Sequence, residues 1–195
     1  SGGTQAFDEG GALALAGRVD VAWLEAALAA DDFLQLPPPR STGRERYGEP
    51  FLQRHARALE ALTLEDRLAS LGAYTVEAVA RSLERFCPWR PDELVVSGGG
   101  ARNAALVRGL AQRLDGVHVR DSTDVLGHPP ETREAIAFAV LADASLSGVP
   151  CNVPGVTGAA RAVCLGRMSR AGGWEPGARA PRSLRGPASS RGAAS

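Results

Sequence analysis

Glu93-Leu94-Val95-Val96-Ser97-Gly98-Gly99-Gly100-Ala101-Arg102-Asn103 is the stretch on which the fold turns. A short apolar run stops at three glycines, and an asparagine follows where a helix can begin. Asn103 to Leu114 reads as that helix, with Leu106, Leu110 and Leu114 on one face. Val117-His118-Val119 then alternates like a second strand. Buried strand, glycine turn, helix and strand form the α/β signature, with the two strands parallel and joined by a right-handed crossover. Upstream, Pro88 and Pro91 close a long helix predicted from about Leu64 to Phe86. Its Leu68, Leu71, Val76, Val79, Leu83 and Phe86 share a stripe, and Thr63 with Asp66 supplies a capping-box-like start. A further helix is predicted from an Asp20 N-cap through about Ala30. Pro37, Pro38 and Pro39 extend the chain after it, and glycine-rich residues 1–19 read as a loop before it. Downstream, Thr132 to Ser145 is a third strong helix, and no internal repeat is visible.

The 195 residues carry 22 basic side chains, every one an arginine, against 22 acids. That neutrality argues against a dedicated nucleic-acid binder, whose phosphate contacts need a basic surplus. The absence of lysine has a plain reading in a GC-rich coding bias. An apolar content of 44% suits a packed core. From Ser169 to Ser195, Gly, Pro, Ser, Ala and Arg dominate; five arginines against one glutamate give +4, leaving −4 on residues 1–168. This segment is predicted to be a disordered tail. No signal-peptide pattern is present, and the longest apolar stretch, Ala135 to Ala142, is too short to span a bilayer. Cys87, Cys151 and Cys164 are widely spaced, form no CxxC pair, and read as reduced thiols of a cytoplasmic protein. The only methionine is Met168, and the chain opens at Ser1, so the expectation is a piece of a longer protein.

Several segments are candidates for chemistry, each with a plainer alternative. Glycines after a strand let a backbone approach a ligand closely, and the next helix offers unpaired N–H groups. The segment Gly98 to Asn103 is neither the dinucleotide fingerprint nor a P-loop, so a tight turn with Asn103 as N-cap accounts for it equally well. Ser41-Thr42-Gly43-Arg44-Glu45 offers an anion site through Arg44, but on spacing the Thr42–Glu45 capping box is favoured. Glu131 and Glu134 share a helix face. Glu131 suits the helix N-terminus, whereas Glu134 heads a helix of small residues built for close packing, where a carboxylate loses solvent. His55, His118 and His128 lie apart without metal-ligand spacing. Asn152-Val153-Pro154-Gly155-Val156-Thr157-Gly158-Ala159 is turn-rich and reads as a loop.

Taken in order, these segments resemble the anhydro-N-acetylmuramic acid kinase family. Pro37 to Glu45 is similar to its PPPKSTGRE-like stretch, with Arg40 in the lysine position. Val95 to Asn103 resembles its GGGxxN, Glu134 to Ala142 its EAxAFAxLA helix, Asn152 to Ala159 its NLPxVTGA, and Leu165-Gly166 its closing LG. The likeness runs from about Phe7 to Met168. It implies an α/β fold: an incomplete C-terminal lobe, residues 1–168, of the two-lobed sugar kinase, Hsp70 and actin (ribonuclease H-like) superfamily. It implies an enzyme that uses ATP and Mg²⁺ to open the anhydro ring of 1,6-anhydro-N-acetylmuramic acid in peptidoglycan recycling. The product is N-acetylmuramic acid 6-phosphate. A water attacks the anomeric carbon with an aspartate as base, while the freed 6-oxygen takes the γ-phosphoryl group.

By the same resemblance Gly98, Gly99, Gly100 and Asn103 belong to the adenosine side of the nucleotide, and Glu134 lies near the sugar. The family's GTSxDGxD loop and its DTGPGN-like segment with the aspartate base have no counterpart here; Asp8 falls after that point. No catalytic or metal residue is therefore assigned, and the chain alone is expected to be inactive, since phosphoryl transfer needs positioning and charge neutralisation from both lobes. The alternative is a non-catalytic nucleotide-binding or subunit-association module. A lobe lacking strands exposes a sheet edge and associates, a homodimer through this lobe being one such outcome.

Overall fold

A computed structural model describes residues 6–167. The disordered-tail expectation from Ser169 onward lies outside the described residues. A 3₁₀ turn at Glu9–Gly11 leads into α1 (Ala12–Ala16), then α2 (Val21–Ala30), a 3₁₀ turn at Asp32–Gln35, α3 (Arg44–Tyr47), α4 (Glu49–Glu60) and α5 (Leu64–Phe86). The α/β portion follows as β1 (Glu93–Val96), a 3₁₀ turn at Gly99–Arg102, α6 (Ala104–Arg113) and β2 (His118–Asp121). Helices α7 (Ser122–Leu126), α8 (Arg133–Ser147) and α9 (Pro154–Thr157) complete it. The two strands pair in parallel, from Glu93 opposite His118 to Val96 opposite Asp121. The fold is therefore mixed α/β around a small two-stranded parallel sheet.

The helix starts follow from side chains that answer orphan N–H groups. The Asp20 carboxylate accepts from the Trp23 N–H at 3.0 Å, and the Thr63 hydroxyl accepts from the Asp66 N–H at 3.2 Å. The Asn103 carbonyl accepts from the N–H groups of Ala105 and Leu106 at 3.0 and 3.2 Å. Three expectations are corrected, and one helix is added. Residues 9–16 are helical rather than loop, because the Asp8 carboxylate accepts from the N–H groups of Leu13 and Ala14. The Thr42–Glu45 capping box is not made: Gly43 is the N-cap of α3, with no side-chain bond to the first turn. The strand β1 is not buried on both faces but alternates, with Glu93 and Val95 exposed. A further helix, α4, occupies residues with no predicted element, opened by Pro50 in its first turn.

Two apolar clusters share α5. Trp23, Leu24, Leu28, Phe51 and Leu59 gather around Tyr74 at its N-terminal half. Leu110, Leu114 and Val117 gather around Val76 and Ala80 further along, with Leu94, Val96 and Val119 of the sheet packed against them. The approach of α5 to α6 is set by Gly109: a Cβ there would stand 2.8 Å from Cγ2 of Val76. A glycine inside a helix costs about 1 kcal/mol against alanine, so its presence here reflects that close contact.

The first cluster contains a buried charge. Asp31, 6% exposed, accepts from Tyr47 Oη at 2.6 Å and from Arg46 Nη2 at 2.7 Å, and Tyr74 donates its hydroxyl to the same carboxylate. One carboxylate thus ties the end of α2 to α3 and to α5. Burial raises its pKa, but the two hydroxyls and the guanidinium outweigh that and hold it below its ordinary value of 3.8.

Two outcomes are expected from these contacts. Gly109→Ala should destabilise by about 1 kcal/mol in urea denaturation, because overpacking against Val76 exceeds the gain in helix propensity. In a Val76→Ala background the same change should become stabilising; destabilisation in both backgrounds would show the contact is not the cause. For Asp31, a folded pKa below 3.8 means that its stabilisation is present above that value and is lost as pH falls through the lower folded one. Asp31→Asn should cost about 2–4 kcal/mol at pH 7 and flatten the acid limb of the stability profile; an unchanged slope below pH 4 would count against the assignment.

Candidate functional site

Strand β1 is placed by the second cluster, and the chain leaves it through Ser97 into the glycine turn. Gly98 has φ +79° and ψ −173°, a conformation open essentially to glycine alone. Its N–H donates to the carbonyl of Pro130 at 2.9 Å. The N–H groups of Gly99 and Gly100, both exposed, donate to nothing among the described residues. Space above Gly98 and Gly99 is open, since a Cβ at either would meet no atom within 4 Å. The turn therefore presents two unpaired donors at an accessible surface.

Asn103 closes the turn and is fully committed through its carbonyl to capping α6. It is also pressed against the N-terminal segment, where a Cβ at Gly11 would run into the Asn103 side chain. Asp8, on the same segment, is occupied by the first amides of α1. The capping role that the sequence allowed for Asn103 is thus present.

The head of α8 lies beside the turn. Arg102 Nε donates to Glu131 at 2.5 Å across the exposed surface. The hydrogen bond from Arg102 keeps the Glu131 carboxyl below its ordinary range. The structure thereby brings Gly98, Gly99, Gly100, Asn103 and the Glu131–Glu134 turn into one neighbourhood through Pro130 and Arg102. Sequence reading missed both bridging residues; the Pro129-Pro130 pair was the available sign of a fixed turn. One expectation about Glu134 is corrected: it is exposed, not desolvated, because α8 carries almost nothing on its surface.

Pro39 lies against Gly158, where a Cβ would touch the proline ring at 3.4 Å. The PPPRSTGRE and NVPGVTGA segments therefore meet. Arg40 turns away from that contact and stacks over the rings of Phe33 and Phe86, at 4.8 and 4.9 Å from their centroids, with Nη2 donating to Ser82 at 2.9 Å. It lines a largely apolar cavity of about 810 Å³ on α5, which includes none of the glycine-turn residues and not Glu134. The cavity and the candidate motifs lie apart: the unpaired donors and the exposed carboxylates stand at the glycine turn and the head of α8, outside the cavity. Of the histidines, His55 is a packing residue, edge-on to Trp23 and tilted against Phe51. Burial, then the Arg54 charge, hold its pKa below the ordinary value. All three cysteines are free. No helix of the described residues is long and apolar enough to cross a membrane.

Residues 2–171 match the family model described as anhydro-N-acetylmuramic acid kinase. The chain is 42% identical over 166 residues to the anhydro-N-acetylmuramic acid kinase of Synechococcus elongatus, covering 85% of this chain and 44% of that protein. The protein of the same name from Gloeobacter violaceus is 44% identical over 166 residues, with 85% and 43% covered. That from Parasynechococcus marenigrum is 43% identical over 169 residues, with 85% and 44% covered. The chain spans less than half the length of these relatives.

The geometry of the turn gives a direct expectation. Gly98→Ala should destabilise by about 1–3 kcal/mol through backbone strain alone, since the added Cβ meets nothing. Gly99→Ala, equally open and at an ordinary φ, should be near neutral. Hydrogen exchange at the Gly98 amide checks the mechanism: it should accelerate in the first variant and not in the second.

Proposed function

The chain belongs to the anhydro-N-acetylmuramic acid kinase family, and from that membership we propose that it supplies the C-terminal part of an ATP-dependent kinase. The reaction would open the anhydro ring of 1,6-anhydro-N-acetylmuramic acid and phosphorylate the sugar to N-acetylmuramic acid 6-phosphate, in cytoplasmic recycling of peptidoglycan. The observation that carries the reading is the junction of the glycine turn with the head of α8 through Pro130 and Arg102. It puts backbone donors and carboxylates on neighbouring elements, as a site bridging nucleotide and sugar requires.

The fit to ATP rests on the free N–H groups of Gly99 and Gly100 and on the open space above Gly98 and Gly99. These amides would donate to the nucleotide, and Asn103 would fix the turn by capping α6. Glu134, exposed at the head of α8, would orient the sugar by accepting hydroxyl hydrogen bonds. The bound nucleotide supplies the phosphoryl group. Mg²⁺ would come with the nucleotide's phosphates; among the described residues no group of three or more His, Cys, Asp or Glu stands together to hold a metal ion. No step is assigned to it here.

No general base is assigned either: among the carboxylates near the turn, Asp8 is bonded to α1, Glu131 to Arg102, and Glu134 is given to the sugar hydroxyls. The chain by itself is therefore proposed to bind nucleotide without turning it over.

Thermal-shift and calorimetric titrations of the full chain with ATP and with the anhydro sugar test this, together with a turnover assay. Saturating ATP at a hundred times its Kd should stabilise the fold by about 2.7 kcal/mol. Gly99→Asp, which sets a negative charge over the amides, should abolish that gain without unfolding the chain. Turnover above a Glu134→Ala control would overturn the proposed inactivity. No response to ATP would overturn the nucleotide half-site and favour a pure association module.

A further inference from the structure

The cavity of about 810 Å³ opens along α5, between that helix, the 3₁₀ turn at Asp32–Gln35, α3 and α4. Close-packed interiors hold few voids larger than a water molecule, whereas clefts that take small ligands run from about 300 to 1,000 Å³. The rings of Phe33, Tyr47, Phe51, Tyr74 and Phe86 form much of its wall, and the exposed Leu52 and Pro38 leave it open to solvent. None of the glycine-turn residues lines it and neither does Glu134, so the cavity is separate from the site proposed for nucleotide and sugar.

The free polar groups of the wall reduce to one side chain. Tyr47 and Tyr74 donate to Asp31, Thr75 to the carbonyl of Leu71 and Ser82 to that of Ala78, so every hydroxyl on the wall is already engaged. Arg40 is half-buried and is the only charged residue of the lining. It forms no ion pair among the described residues. A guanidinium carries five N–H donors; here Nη1 donates to the Phe33 carbonyl and Nη2 to Ser82, while the rings of Phe33 and Phe86 flank the group. Unused donors and a positive charge without a counterion therefore stand at one end of an apolar cleft. Ser82 and Phe86 mark that end. The other end, at Leu71 and Tyr74, lies about 16 Å back along the helix axis from Ser82.

We propose that this cavity binds an aliphatic monocarboxylate, with the carboxylate on Arg40 and the chain laid along α5 toward Leu71 and Tyr74. A carboxylate matches a guanidinium in charge and in the spacing of its donors. One charge suffices, because no second cation lines the cavity. A sugar or a nucleoside would leave its own hydroxyls unpaired against this wall, whereas an alkyl chain gains by leaving water.

Titration calorimetry of the full chain with decanoate, kept below its micelle concentration, tests the site. Saturable one-to-one binding is expected, with decanol about tenfold weaker or more because it brings no charge. Arg40→Met keeps an apolar side chain of similar length and should weaken decanoate by the same factor while leaving decanol unchanged. Thr75→Trp, from an exposed position on the wall, should fill the space and block both ligands. Circular dichroism checks the fold of each variant; if Arg40→Met does not fold, Thr75→Trp decides the location and the decanoate-to-decanol ratio decides the charge. No binding of decanoate, equal binding of decanol, or binding indifferent to Thr75→Trp would each overturn the inference. Capture on anionic phospholipid vesicles without any response to free decanoate would overturn it too, and would make the cleft a membrane contact.

Discussion

A helix of 23 residues with charged side chains along its length is not held in water by propensity, and α5 persists because two separate apolar clusters are built on it. Its first half takes the aromatic cluster through Tyr74, and its second half takes α6 and the sheet through Val76 and Ala80. The polar contacts follow the same axis. Asp31 ties α2 and α3 to Tyr74, and Glu77 accepts from Arg113 of α6 at 2.7 Å and from Arg81 at 3.1 Å. Burial raises the Glu77 carboxyl, and the two arginines more than reverse it. The α5–α6 seam is thus fixed at once by a missing Cβ, an apolar stripe and a shared carboxylate.

From that seam the position of the candidate site follows step by step. Helix α6 and the strands hold β1, β1 delivers Ser97, and Gly98 reverses the chain in a conformation only glycine adopts cheaply. Pro130, almost fully buried, then receives the Gly98 N–H and sets the start of α8. The rigidity of the turn is borrowed from α5 through buried contacts. The exposed Arg102–Glu131 pair adds little to it, because solvent screens such pairs.

Local signals in the sequence survived where the partner was local. Asp20, Thr63 and Asn103 each accept from amides two or three residues on, and all three were legible as caps. Thr42 offered the same letters and failed, since Gly43 opens α3 instead. The Asp31 cluster could not be read at all: its partners lie 15, 16 and 43 residues away, and nothing in their order announces that they meet. Helix α4 was legible in principle, since Phe51, His55 and Leu59 recur every four residues on one face, but its low apolar content left it unread. The glycine turn was legible as a site candidate, but its bond to Pro130 was not, being a contact between loops. Glu134 was misjudged for a different reason. Its apolar helix suggested a site with little water, but α8 packs on almost nothing among the described residues, so the carboxylate stays exposed.

That last mismatch bears on the chemistry. Fixed dipoles and charges act strongly on a reacting group only where water is excluded, because the effective dielectric falls and no solvent reorganisation competes. Here the free amides of Gly99 and Gly100 and the carboxylate of Glu134 all face water, so each is a weak electrostatic element as it stands. The α8 face is unstable in water for the opposite reason, since its apolar side chains favour any cover that removes them from solvent.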